Sequence, residues 1–472
     1  MRGLLVIFFL ALGVLPGPVL SEQPADQRVD LTIDEARALA LQFLEAGDSY
    51  RATVLADGLL QRDPNDMQAL HVKAWAAVLA GAPVQARPSA WKLYQVSRND
   101  PAMRQEAAKL LAKVAYDRQN YGVAMWWLRR ASDFATHPEE LAEIADSIGN
   151  IRSQSPWRIN LAFSATPSSN VNGGSSETGG SGEWFGIPIE LRYDDSAQAI
   201  SGIEIGGQLD VAYRVARSDK SQTMLGVRGL GSSAFLTEDA FREVMSADGD
   251  REQIKVRGRD FSYQAVEIYL AHSMRPASGN GLYVLSGRLG HSWSAGSPYT
   301  AYSQIEVTRY LRFGDKMTAT LGADIRQVDY FDSDIRDLTP SLQGELAFDL
   351  PSGDGLAVGL SISDTRSNNA PNESQEAELS LNYSLGKPVG AFEISGGISA
   401  NVEIFDVANL GGTRFGERKD YGVNGQLTLG LPEAQVMGFT PNFTISAGKT
   451  WSNVNRFKTV DLGVGFGWES RF

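Results

Sequence analysis

From Trp157 onward, apolar and polar residues alternate with a period of two; before it they recur with the period of a helix. Trp157, Ile159, Leu161 and Phe163 alternate with Arg158, Asn160, Ala162 and Ser164. Ile203, Ile205, Leu209, Val211 and Tyr213 alternate in the same way with Glu204, Gln208, Asp210 and Arg214. Further runs follow at Leu379–Leu385 and Phe392–Ile404. Period two marks a strand with one apolar face. Upstream, Thr32 and Glu35 make a capping box ahead of an apolar stripe of Ala36, Leu39, Ala40 and Phe43. Gly47 closes that helix, and a second is predicted from about Tyr50 to Arg62. Proline turns at Asp63-Pro64-Asn65-Asp66, Asn99-Asp100-Pro101 and Thr136-His137-Pro138 bound intervals of 37 residues, Pro64 to Pro101 and Pro101 to Pro138. Each interval holds two helix-length segments, 66–80 with 85–98 and 103–118 with 121–135. Repeated helix pairs at this period predict a helical solenoid over residues 22–156.

That region resembles tetratricopeptide repeats. Leu44, Gly47, Tyr50, Ala52, Leu59 and Asp63-Pro64 fall in the order of that repeat, as do Tyr116, Asn120, Tyr121, Ala124 and Pro138. The middle unit departs from it, with Pro83 in its turn and Pro88 early in its second helix. The resemblance implies a concave face for a peptide or protein segment. Trp75, Trp91, Trp126 and Trp127 are read as packing core between helices rather than as a ligand cage.

Alternation alone fits a soluble sandwich as well as a barrel. Segment length and number favour the barrel: many runs of about 10–15 residues, about fourteen in all, suit a membrane-spanning wall with a wet interior. Short connections are expected at 433–435, 387–390, 351–354, 313–316, 276–280 and 217–221. Generally longer ones are expected at 451–456, 405–420, 365–375, 332–338, 296–299, 237–260 and 194–198. Six short and seven longer connections join fourteen strands, and both ends of the barrel then face the periplasm. The segment 157–165 is left open, as an additional strand or as a linker tucked inside. In the last strand Val464, Phe466, Trp468 and Phe472 share one parity, which looks like the signal read by the outer-membrane β-barrel assembly machinery. At the other end, residues 1–21 have the layout of a secretory signal: Arg2, an apolar run from Gly3 to Leu15, then Pro16 and Pro18.

Composition sharpens this division. Residues 157–472 carry 40 of the 48 glycines and residues 22–156 only five, beside 25 alanines. The fold class is therefore α + β multidomain: a signal peptide at 1–21, an all-α tetratricopeptide-like solenoid at 22–156, and a transmembrane antiparallel β-barrel of about fourteen strands at 157–472. The net charge of −13 argues against a nucleic-acid partner. With no cysteine, there is no disulfide frame, no thiolate metal site and no lipid anchor. The four histidines, His71, His137, His272 and His291, lack metal-ligand spacing, and no phosphate loop or nucleophile elbow is found. No enzymatic role and no cofactor are expected. Glu306, Asp324, Glu378, Glu393 and Glu403, with Arg214, Arg288, Arg312 and Arg326, are read as lumen wall rather than as a hydrolytic pair.

One motif stands apart. Ser169-Asn170-Val171-Asn172 and Ser452-Asn453-Val454-Asn455 are identical tetrapeptides at the two ends of the barrel sequence, where the first and last strands must pair. Together with Pro167, with Arg418-Lys419-Asp420, with Gly438-Phe439-Thr440-Pro441 and with the terminal Arg471-Phe472, they resemble the surface lipoprotein assembly modulator (Slam) family. The order of signal, helical repeats and barrel is similar as well. The resemblance implies an integral outer-membrane protein that helps deliver a lipoprotein or secreted-protein client to the cell surface; whether it works alone or with the β-barrel assembly machinery as a partner is left open. A polysaccharide exporter and a passive porin remain as alternatives.

Overall fold

The computed structural model describes residues 31–184, 187–237, 241–245, 251–277, 279–410, 413–414, 416–437 and 439–470. The segment 1–21 expected to be a signal, Gly438, Arg471 and Phe472 lie outside them. The chain divides into two compact units, one ending at Val96 and one beginning at Ser97.

The first unit is helical: α1 (Ile33–Glu45), α2 (Ser49–Arg62), α3 (Met67–Leu79) and α4 (Pro83–Val96). Thr32 and Glu35 form the expected capping box. Asp48 and Asp66 cap α2 and α3 by accepting the backbone N–H groups of Arg51 and Ala69, which otherwise lack partners at a helix start. The helices pack through small residues, Ala40, Ala52, Ala56, Ala69 and Ala76, with Leu59 and Val72 filling the remainder. This is why the region is rich in alanine and poor in glycine: alanine favours the helix and lets two backbones approach closely. Pro88 sits inside α4, where its missing N–H forfeits the bond to the Val84 carbonyl, yet the helix continues.

The second unit begins with α5 (Pro101–Asp117), α6 (Tyr121–Ser132) and α7 (Pro138–Gln154). Pro101 and Pro138 open α5 and α7, at the one helical position where a missing N–H costs nothing. Trp127 is buried and Trp75 of α3 half-buried, as core packing requires. Trp91 and Trp126 are not; each is 46% exposed. Interfaces built from alanine leave no room for these indoles, so the expectation of four core tryptophans is corrected at two.

The helical period ends at Gln154 and strands begin at Trp157. Fourteen antiparallel strands form a closed barrel, each paired with its neighbour in the chain. They are β1 (Trp157–Ser168), β2 (Gly202–Arg217), β3 (Ser221–Leu236), β4 (Tyr263–Met274), β5 (Leu282–Ser294), β6 (Ser297–Phe313) and β7 (Met317–Tyr330). There follow β8 (Arg336–Asp349), β9 (Gly355–Ser367), β10 (Ser374–Ser384), β11 (Glu393–Phe405), β12 (Arg418–Gly430), β13 (Phe439–Ser452) and β14 (Thr459–Ser470). The count of fourteen holds, but its first member differs from the expectation. The segment left open at 157–165 is β1, and the connection read at 194–198 is part of a loop that runs from 169 to 201. Within it, Gly179–Trp184 and Ile187–Arg192 pair only with each other. Six residues each are too few to cross a bilayer, which takes about 9–11 in a tilted strand.

The outward residues are those of the apolar parity. Ile159, Leu161, Ile268, Leu289, Ile305, Leu360 and Leu462 each expose about half of their surface or more. Aromatic side chains flank this belt at both ends: Trp157, Tyr213, Tyr283, Tyr310, Tyr383 and Trp468 toward one rim, and Tyr299, Tyr421 and Trp451 toward the other. A closed sheet with an apolar exterior and aromatic girdles is a membrane-spanning surface, because only closure satisfies every backbone group in hydrocarbon. The six even-numbered connections make the short-turn rim. At two of them, Asp354 accepts from the Gly386 N–H and from the Tyr383 and Ser352 hydroxyls, which holds its carboxyl down at about 2. The other rim carries the long loops, except at β5–β6, where Ala295-Gly296 turn with φ of 50° and 82° in a two-residue hairpin.

Asp66 caps α3 and also takes two bonds from Arg37, at 3.0 and 2.8 Å. Asp66→Ala is expected to cost about 2 kcal/mol, more than the about 1 kcal/mol for a cap alone. Asp100→Ala, which removes a cap with no such arginine contact shown, serves as comparison in urea melts followed by circular dichroism. Equal losses would show that the Arg37 contact contributes nothing.

Candidate functional site

Inward residues divide the lumen into two unlike walls. Across β2–β8 the wall is charged and tightly packed. Arg228 donates from Nε to Asp210 at 2.9 Å and stands 3.5 Å from Glu267. Tyr269 donates to Asp210 and Tyr302 to Glu267, both at 2.8 Å. Arg288 donates to Glu306 at 2.6 Å, Gln304 to Asp324 at 2.8 Å, and the Ser341 hydroxyl to Asp324. The Arg326 guanidinium lies 4.4 Å from the Tyr302 ring centre. Buried carboxylates are tolerated because each has a cation or a donor against it.

The two tyrosines lie flat along the wall, and glycines make that possible. A Cβ at Gly226 would come within 2.3 Å of the Tyr269 ring, and one at Gly290 within 2.1 Å of the Tyr302 ring. Each ring therefore crosses a glycine on the adjacent strand and delivers its hydroxyl to a carboxylate two strands away. Of the acids and bases expected in the lumen, Glu306, Asp324, Arg288 and Arg326 belong to this network. The glycine–tyrosine pairing itself was not legible, since it requires the register.

The wall from β9 to β14 is lined largely by small amides and hydroxyls, with carboxylates among them. Asn382, Asn424 and Gln426 are exposed to the lumen, among Ser380, Ser399 and Thr444. Glu403 accepts from Ser374 at 3.0 Å and Glu376 from Asn401 at 3.1 Å. Glu378 and Glu393 share the inward parity of this side. Among the described residues no group of His, Asp and Glu is placed to hold a metal ion.

Both tetrapeptides lie at the long-loop rim, where β1 meets β14. Pro167 pairs with Ile203 one step before the last pair of β1 with β2, Ser168 with Gly202. The Ser169 N–H donates to the Leu462 carbonyl, and its hydroxyl accepts the Leu462 N–H at 2.9 Å. Asn170, almost wholly buried, bonds both the N–H and the carbonyl of Gly174. The Val171 N–H donates to the Ile200 carbonyl, and Asn172 bridges the Ser196 and Gln198 carbonyls to the Ile200 N–H. In the second copy, the Ser452 hydroxyl accepts the Val454 N–H. Asn453 accepts the Lys419 N–H and donates to the Glu417 carbonyl, both at 2.8 Å. The two loops touch through Ser175, which donates to the Asn455 carbonyl at 2.9 Å, and through Asn455, which donates to the Gly179 carbonyl at 3.1 Å. Asparagine suits these places because one amide offers a donor and an acceptor to backbone that no ladder reaches.

Arg418 and Asp420 form an ion pair of 3.0 Å at the same rim. The guanidinium stands between two rings, 3.3 Å from the centre of Phe405 and 3.8 Å from that of Phe457. Neither phenylalanine was marked in the sequence; Phe405 is the residue directly opposite Arg418 across β11–β12. In β14, Phe466 packs between Phe443 and Trp468, while Val464 and Trp468 face outward.

The short-turn rim carries a joint between helices and barrel. Arg214 donates to the carbonyls of Ser153, Gln154 and Ser155 at 3.0, 2.7 and 2.8 Å, and Arg217 adds a bond of 3.1 Å to Ser153. These are the carbonyls that the end of α7 leaves without helical partners, and the positive charge suits that end of the helix dipole. Arg214 is thus a helix cap rather than free lumen wall, and Arg312 pairs with Asp315 in a turn. At a second point, the Met437 N–H donates to Asp133, and Arg129 lies 5.0 Å from the Phe439 ring centre. Burial, with Arg152 nearby, lowers the pKa of Arg129. Pro441 is buried and accepts the Leu431 N–H.

No protein-family model and no curated protein matches the chain. Among solved structures, a loop-deletion form of OmpT, an outer-membrane protein of Vibrio cholerae, is similar over 66% of this chain and 98% of its own, at 9% identity and a TM-score of 0.30. A bacterial polysaccharide outer membrane secretin is similar over 66% and 98%, at 9% identity and 0.33. CdiB from Acinetobacter baumannii is similar over 66% and 59%, at 12% identity and 0.35. Likeness at this level says nothing of cargo.

Gly290→Val is expected to lift Tyr302 off the wall and strip Glu267 of a donor, costing about 2–4 kcal/mol. The readout is the urea concentration at which unheated protein loses its compact gel migration; no change would show that the pairing carries no stability. Arg418→Lys keeps the charge but not the two-sided stacking and is expected to lose about 1–2 kcal/mol. Faster proteolysis of the loop at 406–417 would report it, and wild-type cleavage rates would refute it.

Proposed function

We propose that the chain is an outer-membrane translocation factor that helps deliver lipoproteins or secreted proteins to the cell surface. The paired helices stand on the periplasmic side and receive the client, and the barrel passes it. The observation that carries this reading is the joint at the short-turn rim: Arg214, Arg217 and Asp133 fix α6 and α7 beside the lumen, an addition that a passive pore for small solutes does not need. Short turns face the periplasm in bacterial outer-membrane barrels, which supports the same side for the helices. A braced charged wall opposite one lined largely by amides and hydroxyls supports passage of a polar chain without tight binding. The order of segments and the paired tetrapeptides, which resemble the surface lipoprotein assembly modulator family, support it further. The outward Val464, Phe466 and Trp468 of β14 suit recognition by the barrel assembly machinery.

A polysaccharide exporter is the second reading, favoured by the amide- and hydroxyl-rich wall of β9–β14, whose groups match sugar hydroxyls. A porin-like channel is the third.

Removing the gene is expected to reduce at least one surface-exposed lipoprotein or secreted protein ten-fold or more while its cellular total is unchanged. The full chain restores it. Arg214→Ala with Arg217→Ala restores it only in part, although the barrel keeps its heat-modifiable gel migration. Surface proteins that stay unchanged on gene loss would sink the proposal, and loss of a surface polysaccharide instead would favour the exporter.

A further inference from the structure

The closure of the barrel is its least bonded junction. β1 pairs with β2 along its whole length, from Trp157–Tyr213 to Ser168–Gly202, and β14 pairs with β13 from Thr459–Thr450 to Ser470–Phe439. Among the described residues, pairing between β1 and β14 holds at Phe163–Trp468, Ser164–Gly467, Ala165–Phe466 and Ser168–Gly463. Pro167 removes a donor within that short ladder, and Leu161 and Ala162, which this register sets opposite Ser470 and Glu469, are not paired with them. Side chains add little on the lumen face. Gly463, Gly465 and Gly467 offer none to Ser164, Thr166 and Ser168, and no ion pair crosses the junction among the described residues.

The junction is held instead at its two ends. At the long-loop rim the holders are Ser169 on Leu462, Ser175 on Asn455, and Ser176 on Lys458. At the short-turn rim the order of strands is β2, β1, β14, β13. The helices touch the outer two, through Arg214 on β2 and through Phe439 and Met437 beside β13. α6 and α7 therefore span the junction like a strap. A short ladder, bonded through the rim loops at one end and strapped by the helices on its flanking strands at the other, describes a seam that opens when these contacts are released.

The two sides of the seam differ in polarity. Its lumen lip is glycine and hydroxyl, while its outer lip carries Ile159, Leu161 and Phe163 on β1 and Leu462, Val464 and Trp468 on β14, all exposed, with Phe163 directly opposite Trp468. Such an opening joins a wet interior to hydrocarbon, the path required by a cargo that is polar along its chain and apolar at one end. We infer that the β1–β14 seam is a lateral exit that releases the acylated end of a lipid-anchored polypeptide into the bilayer. This rests on the translocation reading and narrows its client to a lipidated one.

The chain has no cysteine, so a disulfide can be introduced without background. Ser164→Cys with Gly467→Cys locks the seam in the full chain; Ser380→Cys with Ser399→Cys locks β10 to β11 at a directly opposed inward pair. Both variants are produced in the native host, and newly surface-exposed lipoproteins are measured by biotinylation of intact cells under oxidising and reducing conditions. The seam lock is expected to lower surface lipoprotein at least ten-fold when oxidised and to recover on reduction, while the β10–β11 lock stays within two-fold of wild type. Normal delivery through an oxidised seam, or equal arrest by both locks, overturns the lateral exit and leaves translocation standing. Unchanged surface lipoproteins on gene loss overturn the exit and the reading beneath it together.

Discussion

In hydrocarbon no water is available to a free N–H or C=O, so a sheet that crosses a membrane must close on itself. Thirteen of the fourteen junctions here are made by strands that follow one another in the chain, and each is aligned by its own turn or loop. The fourteenth joins strands about three hundred residues apart and has no turn to set it. The chain answers with side chains in place of a turn. Asn170, Asn172, Asn453 and Asn455 bind backbone across and within the two rim loops, and Ser169 extends the ladder past Pro167. Register at the closure is thereby a property of the loops, while register elsewhere belongs to the strands.

The inside of the cylinder follows from the same closure. Fourteen strands enclose more space than small side chains fill, so the wall either braces itself or stays wet. From β2 to β8 it braces itself with tyrosines that lie along the sheet, with arginines that pair with Asp210, Glu267 and Glu306, and with neutral donors on Asp324. From β9 to β14 it is left mostly to amides, hydroxyls and glycines, with a few carboxylates among them. The acids of the two walls are met differently: Asp210, Glu267 and Glu306 on the braced side pair with arginines, while Glu376 and Glu403 on the other side accept from neutral donors.

Much of this was legible before any coordinate. Period-two alternation set which side chains face lipid, and Thr32 with Glu35 fixed the start of the first helix. The identical tetrapeptides drew attention to the closure because they flank it. What escaped reading required register. Nothing in Gly226 or Gly290 announces a tyrosine across the strand, and nothing near Arg418 announces Phe405 and Phe457. The first strand was blurred because a glycine-rich hairpin at 179–192 imitates part of a spanning segment. Trp91 and Trp126 were misread because aromatic residues in a helical repeat serve core and surface alike, and only the size of the alanine interfaces decides which.

The glycine-seated tyrosines have a mechanical consequence. A ring anchored across two strand junctions resists shear between them, as a diagonal brace does in a frame. Tyr269 and Tyr302 span β2 to β6 in this way, and Arg288, Asp324 and Ser341 carry the bracing on to β8. No such diagonal ties β9 to β14 among the described residues. The cylinder is stiff over one arc and compliant over the other, so any change in its circumference is taken up on the compliant arc, which ends at the closure.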